Sequence, residues 1–600
     1  MDGEAARKRR RLADAAEARL RHAGEEGATA PSGRPASPAQ APKASQRDGD
    51  GRAATPDAAF RLLRVRGAPG AAHATGGPPT CCLRHLVRGD LSYAFVSNYM
   101  IDLPWLLSAC PALTRAGHLV VCHGHREDTS DAMVQVLRRL RMEHRTTLWQ
   151  PPLPIRFGTH HSKFFLLRFK TGLRVVVLTA NMIHADCNSK AQGVWYQDFP
   201  PKDPSARTGG QSGASEFETD LLAYLSRLGL PRGDWEDLQA VVRAHDMSSA
   251  RAKLVTSVPG YHTGAERQRW GHLALRRALE ELKGLPEEAV GTPLCMQASS
   301  MGSLSDVWLE REFGLTLRSG KTATRPLGKP SHGMGPVGMR IIWPTVAEVQ
   351  NSLEGWVAGA SIPGSSRNVN RGHLVPRFCR YAGAPVGLQR AMPHIKTYAR
   401  HSEDGRRIFW LFLGSHNISM AAWGKLEKNS TQLMVRSYEM GVLLAPCFEE
   451  AYLKHPHAGF RCHPVPWERG AARRGVGGEV VMRPWDVRAA EAENAAPGTA
   501  WLPVPYPLPP RPYGEADEPW VVDEPREYPD VCAQMWPCEF SHYGFVDSDS
   551  DTGTDDDDGP EIVRAAPGSA QRRPPAAAGE AEVVVSSDSD SDVVVVGSQP

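Results

Sequence analysis

Two short patterns in the chain set an imidazole beside an ammonium group. The first, "THHSKFFLL" at residues 159–167, holds His160, His161 and Lys163. The second, "PHIKTYAR" at residues 393–400, holds His394 and Lys396. Beyond each lies a strand-like apolar run that ends at an asparagine. "LRVVVLTAN" ends at Asn181, 20 residues after His161, and "FWLFLGSHN" ends at Asn417, 23 residues after His394. One His-x-Lys is ordinary surface sequence. A repeated unit about 230 residues apart implies two related halves facing each other across one site. The repeat also chooses between the two histidines. His161, two before Lys163, is the equivalent of His394, and an extended segment turns His160 the other way.

This set suits a phosphodiester, whose negative charge repels nucleophiles. Two lysines and two asparagine amides can hold the non-bridging oxygens and stabilise charge in the transition state. One imidazole can attack phosphorus to give a phosphohistidine. The other can protonate the leaving oxygen and then deprotonate water, steps typically worth ~10²–10⁴ in rate. With an unperturbed pKa of about 6.5, histidine serves both. The lysines supply the electrostatic stabilisation, so no metal or other cofactor is expected.

The elements that must position these residues can be read from the hydrophobic pattern. Strand-like runs include "HLVVCHG", "KFFLLRF", "LRVVVLTAN", "MRIIWP", "RIFWLFLGSHN" and "MGVLLAP". Helix-like segments such as "DTSDAMVQVLRRLRM" and "RQRWGHLALRRALEELKG" lie between them. The alternation predicts an α/β architecture with largely buried sheets. Gly/Ser/Arg-rich pieces near 205–215 and 316–338 read as surface loops. Cys122-His123-Gly124-His125 and Cys462-His463 come nearest to a metal site, and neither has a matching second pair. The 11 scattered cysteines fit a reducing compartment, and no apolar run is long enough to span a membrane.

Around the motifs the sequence resembles the phospholipase D superfamily. Within it, the chain is similar to the tyrosyl-DNA phosphodiesterase family that works on 3′ ends. The resemblance is carried by "FGTHHSKFFLL", "TANMIHADCNSKAQGVWYQDFP", "AMPHIKTYAR", "GSHNISMAAWGKLEKNSTQLMVRSYEMGVLL" and "LPVPYPLPPRPYG", across residues 60–540. The phospholipase branch carries an aspartate five residues after each lysine. Arg168 and His401 stand there in this chain. The resemblance implies two similar α-β-α sandwich domains related by a pseudo-two-fold, over residues 58–250 and 251–540.

It further implies His161 as nucleophile and His394 as general acid and base. Lys163, Lys396, Asn181 and Asn417 would hold the phosphate. Glu439 would support His161 and Gln192 would support His394, each across the domain boundary. Phe157 resembles an aromatic that stacks on a base, and Tyr99 one that lines the same groove. Ser299, Ser300 and Ser303, ahead of a predicted helix, resemble a DNA-phosphate loop. The implied substrate is a DNA 3′ end, single-stranded or nicked duplex, joined to a tyrosine or peptide derived from topoisomerase I. The product would be a 3′-phosphate. A phospholipid phosphodiesterase and a non-catalytic DNA- or SUMO-binding scaffold are the alternatives.

The ends differ from this body. Residues 1–57 and 541–600 are too poor in large apolar residues to offset ordering entropy and are expected to be disordered. Residues 541–600 carry 13 acidic and 3 basic residues, which leaves the remainder at a net +13. Arg7–Arg11, "RKRRR", reads as nuclear import or nucleic-acid contact. Nuclear localisation is expected, with cytoplasm or mitochondria as further locations. Valine runs at 583–585 and 593–596 flank "SSDSDSD", which resembles a SUMO-interacting motif. A monomer without membrane contact is expected.

Overall fold

Nearly every apolar run named above becomes a strand of one of two mixed sheets. The computed structural model describes residues 58–538, except 69–76, 125–126, 204–212, 284, 287–288, 290, 321–337, 466–478 and 487–497. The basic cluster, the Ser37-Pro38 and Thr55-Pro56 dipeptides that read in sequence as kinase sites, His125 and the acidic tail with its valine runs therefore lie outside the described residues.

The first sheet is built from β1 (Arg61–Leu63), β2 (Thr80–Cys81), β3 (Leu91–Asn98), β4 (His118–His123), β5 (Thr146–Trp149), β6 (Phe164–Phe169), β7 (Gly172–Leu178) and β8 (Gly193–Phe199). Its order is β2-β1-β8-β7-β6-β3-β4-β5. The second holds β9 (Lys253–Ser257), β11 (Leu294–Gln297), β12 (Met339–Ile342), β13 (Phe378–Cys379), β14 (Thr397–His401), β15 (Ile408–Gly414) and β18 (Glu439–Leu444). Its order is β13-β12-β11-β14-β15-β18-β9. A side sheet joins β10 (Gly260–Thr263), β16 (Lys425–Glu427) and β17 (Gln432–Val435).

Read from its far edge, the seven-stranded second sheet matches the eight-stranded first, with β2 alone unmatched. β3-β4-β5 and β11-β12-β13 are parallel, and every remaining junction from β3 to β1 and from β11 to β9 is antiparallel. The register matches too. Phe164 pairs with Val177 and Thr397 with Leu413. In both halves the histidine lies three residues before the first of these and the asparagine four after the second. The different sequence spacing of the two units is absorbed in the hairpin after β14, where the register shifts between Arg400 and His401. The chain is thus an α/β protein of two similar sheets with helices packed against them.

Burial explains why these runs read as unbroken apolar stretches. Val175, Val176, Val177 and Leu178 are all fully buried, because helices or the other half cover both sheet faces. Helix Leu103–Ala109 is capped by Asp102, whose side chain accepts from Trp105 N, and helix Glu216–Ser226 by Ser215, which accepts from Glu218 N. One helix expectation needs correction. "RQRWGHLALRRALEELKG" is not one helix: a 3₁₀ turn at Glu266–Arg269 precedes an α-helix at Gly271–Glu280. Gly271 has φ +58°, and a Cβ there would lie 2.1 Å from Trp423 O, so the chain turns sharply where the pattern looked continuous. After the serine loop the helix starts at Asp306, capped by Ser305, and passes through a π-helical segment at Leu309–Phe313.

The Cys462-His463 pair serves packing. Cys462 N donates to Asp198 Oδ2 and the His463 ring stacks on Phe169, around the buried Arg174–Asp198 ion pair.

The halves meet at a tight seam. Ala191 bridges Pro393 and His160 bridges Tyr438, both in parallel. Beside them, a Cβ on Gly193 would fall 2.6 Å from Leu413 Cδ1 and 2.8 Å from Ile395 Cδ1. Gly193→Val is therefore expected to lower stability by about 1–3 kcal/mol through overpacking. Urea denaturation checks this, and an unchanged midpoint would show that the seam can relax.

Candidate active site

The two seam bridges bring the repeated units together. His161 N donates to Tyr438 O at 3.0 Å, and His394 N donates to Ala191 O at 3.1 Å. Each histidine therefore sits one residue beyond a bridge, facing the residue one beyond the bridge in the other half. His161 Nδ1 lies 3.0 Å from Glu439 Oε2 and 3.1 Å from Oε1. His394 Nδ1 lies 3.0 Å from Gln192 Nε2.

The supports obey the same symmetry. Thr179 Oγ1 donates to Gln192 Oε1 at 2.7 Å and accepts from Gly193 N at 2.9 Å. In the other half Ser415 Oγ donates to a Glu439 carboxylate oxygen and accepts from Met440 N at 3.0 Å. The first chain fixes an amide orientation: with its oxygen on Thr179, Gln192 turns an N–H toward His394 Nδ1. In the second half a carboxylate occupies the same place and accepts from His161 Nδ1. The two imidazoles are framed alike and tuned differently.

The lysines lie beside them. Lys163 Nζ donates to His161 O at 2.9 Å and Lys396 Nζ to His394 O at 2.7 Å, and both side chains are buried. Two buried ammonium groups in one pocket favour an anion. They also act on their neighbours. Burial first, then Lys396, Lys163, His161 and Lys190, hold His394 well below its ordinary pKa. Burial raises the Glu439 carboxyl, opposed by His416, the two lysines and Ser415.

The asparagines differ. Asn417 Oδ1 accepts from Ser300 N at 3.2 Å and from Ser299 N at 3.3 Å, which turns its NH₂ outward. Ser299 and Ser300 are buried and hold this amide, while Ser303 accepts from Arg371 Nη2 at 2.6 Å. Asn181 is buried with Oδ1 unpartnered, and its backbone N donates to Asp186 Oδ2 at 2.9 Å.

Tyr99 is buried with its ring 5.6 Å from the His161 ring, and Lys163 Nζ is 5.8 Å from its centroid. Phe157 is 49% exposed and holds φ +62°, with the Arg156 guanidinium 4.6 Å above its ring. A large aromatic in a left-handed conformation and half in solvent is an uncommon combination. His160 turns away from the pocket. Its Nε2 meets Ser97 Oγ at 2.9 Å, and burial pushes its pKa down to about 3, leaving it neutral.

Sequence reasoning missed three groups. Thr179 and Ser415 were hidden because a hydroxyl at the end of an apolar strand is unremarkable in sequence. Asp186 lies 3.3 Å from His394 Nδ1 through Oδ2. It falls inside a quoted motif, but the equivalent position of the other unit is Ala422, so the repeat gave no sign of it.

Two matched sheets sharing one His-Lys-Asn set define an α/β phosphodiesterase of phospholipase D-like build. Comparison with known proteins narrows this. A family model described as Tyrosyl-DNA phosphodiesterase matches residues 60–514. Tyrosyl-DNA phosphodiesterase 1 of Arabidopsis thaliana is 40% identical over 489 residues, covering 80% of this chain and 76% of its own. A probable tyrosyl-DNA phosphodiesterase of Caenorhabditis elegans is 30% identical over 451 residues, covering 73% and 83%. The crystal structure of the yeast tyrosyl-DNA phosphodiesterase shares the fold, with a TM-score of 0.53 at 18% identity over 78% of this chain and 100% of that one. The chain belongs to the tyrosyl-DNA phosphodiesterase family.

Thr179→Val tests the hydroxyl support. It leaves Gly193 N and Gln192 Oε1 buried without partners, and should cost about 1–3 kcal/mol of stability. Denaturation of the variant beside wild type checks this, and equal stability would mean the two groups find other partners.

Proposed function

We propose that this chain hydrolyses the phosphodiester between a DNA 3′ end and a tyrosine or a topoisomerase I-derived peptide. The observation that carries the reading is the unequal pairing of two otherwise equivalent imidazoles, Glu439 on His161 and Gln192 on His394. A carboxylate on Nδ1 fixes the tautomer that leaves Nε2 of His161 as a lone pair for attack and supports the cation formed afterwards. An amide orients His394 without stabilising its charge as strongly, so that imidazole can both give and take a proton.

In the first step His161 Nε2 bonds to phosphorus and the phenolate oxygen departs with a proton from His394 Nε2. In the second, His394 removes a proton from water as its oxygen attacks phosphorus. The phosphorus–nitrogen bond breaks and a 3′-phosphate remains. Lys163, Lys396, Asn181 and Asn417 hold the phosphate oxygens in both steps. The phosphate itself resolves the low pKa of His394. Its negative charge, set between the two lysines, offsets their repulsion of an imidazolium and restores the proton needed for the first step.

Phe157 stacks on a base near the 3′ end, worth about 1–3 kcal/mol, and Tyr99 lines the wall beside it. Ser299 and Ser300 act through Asn417, whose amide they hold, and Ser303 through Arg371. The Arg7–Arg11 cluster supports a nuclear location and the tail valine runs support a SUMO partner. The working unit is a monomer.

Incubation with a 3′-phosphotyrosyl oligonucleotide in excess chelator is expected to yield free tyrosine and a 3′-phosphate end. No cleavage, or strict dependence on added metal, would sink the reading. His161→Ala should form no covalent adduct, whereas His394→Ala should slow both steps and accumulate one. A trapped adduct in the His161→Ala protein would reverse the two roles.

A further inference from the structure

His394 Nδ1 has two neighbours with opposite preferences. Gln192 aims an N–H at it from 3.0 Å, which favours a bare nitrogen. Asp186 sets Oδ2 3.3 Å away, which favours a protonated one. A histidine that gives up and regains its proton at Nε2 passes through an imidazolium, in which both ring nitrogens carry hydrogen. The Gln192 amide offers that Nδ1–H no acceptor, because its oxygen is bound to Thr179. Asp186 does.

We propose that the Asp186 carboxylate accepts the Nδ1–H of the His394 imidazolium and so acts as a positioning residue for both proton transfers. The proposal rests on the phosphotyrosyl reading above. Its cycle balances. Nε2–H passes to the phenolate oxygen as the bond from His161 to phosphorus forms and the phosphorus–oxygen bond breaks, while Nδ1 keeps its hydrogen, facing Asp186. Nε2 then takes a proton from water as the phosphorus–nitrogen bond breaks and its electron pair returns to His161.

Three observations support this over a merely structural carboxylate. Asp186 is buried, and the oxygen that faces His394 also accepts from Asn181 N at 2.9 Å. One atom therefore ties the proton donor to the strand end that carries a phosphate-holding amide. Holding that turn would need only the hydrogen bond, not a carboxyl group against an imidazole. Next, the corresponding residue of the other half is Ala422, and there Glu439 already sits on Nδ1 of His161. His394 has an amide in that place and its carboxylate set farther off, so the two imidazoles stay unequal.

The surrounding charges are the third observation. His394 is faced by Lys163 and His161 from the first half, Lys396 from its own segment and Lys190 from the segment that carries Asp186. Lys190 is in turn ion-paired with Glu354 of the second half. Burial raises Asp186, and Lys190, Lys396 and Lys163 oppose that rise. Burial and the same lysines lower His394. The lysines that disfavour the imidazolium also favour the Asp186 carboxylate, an anion placed 3.3 Å from Nδ1 to offset them.

Asp186→Asn separates the two roles, because its amide oxygen still accepts from Asn181 N while the charge is gone. Single-turnover rates would be measured across pH on two oligonucleotides, one ending in a 3′-phosphotyrosine and one in a 3′-(4-nitrophenyl) phosphodiester. Nitrophenolate departs without a proton, whereas a phenolate of ordinary pKa about 10 needs one. The variant should lose about 10-fold or more on the tyrosyl substrate, within the ~10²–10⁴ range of proton transfer, and less than about 3-fold in nitrophenolate release. Its alkaline limb on the tyrosyl substrate should move to lower pH, because removing an anion destabilises the imidazolium. The ratio of the two rates does not depend on how much of the variant is folded. Equal losses on both substrates, or an alkaline limb that does not move, would overturn the proposal. If the wild type cleaves neither substrate, it is the phosphotyrosyl reading that fails, and this proposal with it.

Discussion

Two backbone bridges at the seam, His160 with Tyr438 and Pro393 with Ala191, set the terms for the rest of the molecule. Each joins the strand approach of one half to the strand start of the other. Because side chains alternate along extended backbone, the residue after each bridge points into the shared pocket. The histidines and their Glu439 and Gln192 partners are all such residues. A bridge fixes relative position through hydrogen bonds of about 3 Å, tighter control than packing of flexible side chains gives. The price of that rigidity is a seam with no slack, visible at Gly193, where no Cβ fits.

On that frame the site concentrates charge out of water. Lys163, Lys396, Glu439 and Asp186 are all buried. Isolated, each would be prohibitively unfavourable; together they interlock. The lysine ammonium groups are held by main-chain carbonyls of the very histidines they flank. Any shift of a histidine moves its lysine with it, so imidazole and ammonium form one unit per half. Outside this ring Phe157 occupies strained backbone and stands half in solvent.

Much of this was legible in the sequence because the evidence was periodic. Six strands of the two sheets, β4, β6, β7, β12, β15 and β18, appear as apolar runs, since both faces are covered. The doubled His-x-Lys and asparagine pattern survived a three-residue difference in spacing because that difference lies in a hairpin, where insertions leave register untouched. What was not legible breaks the repeat or hides in common residue types. Asp186 has an alanine as its counterpart. Thr179 and Ser415 matter through a hydroxyl at one strand position, and no local pattern marks it. The helix break at Gly271 depends on Trp423 O, 152 residues away in sequence, so only tertiary contact reveals it.

The matched sheets carry one more consequence. Strand order, direction and register agree so closely that the two halves read as copies of one ancestral unit, yet each supplies the support for the other's imidazole. Neither half can therefore be altered at these positions without effect on the other. A change at Gln192 is felt by the histidine of the second half, and a change at Glu439 by that of the first. The difference between the two imidazoles, a carboxylate on one and an amide on the other, is written in the opposite copy. The heritable unit of this activity is the contact between the copies rather than either copy alone.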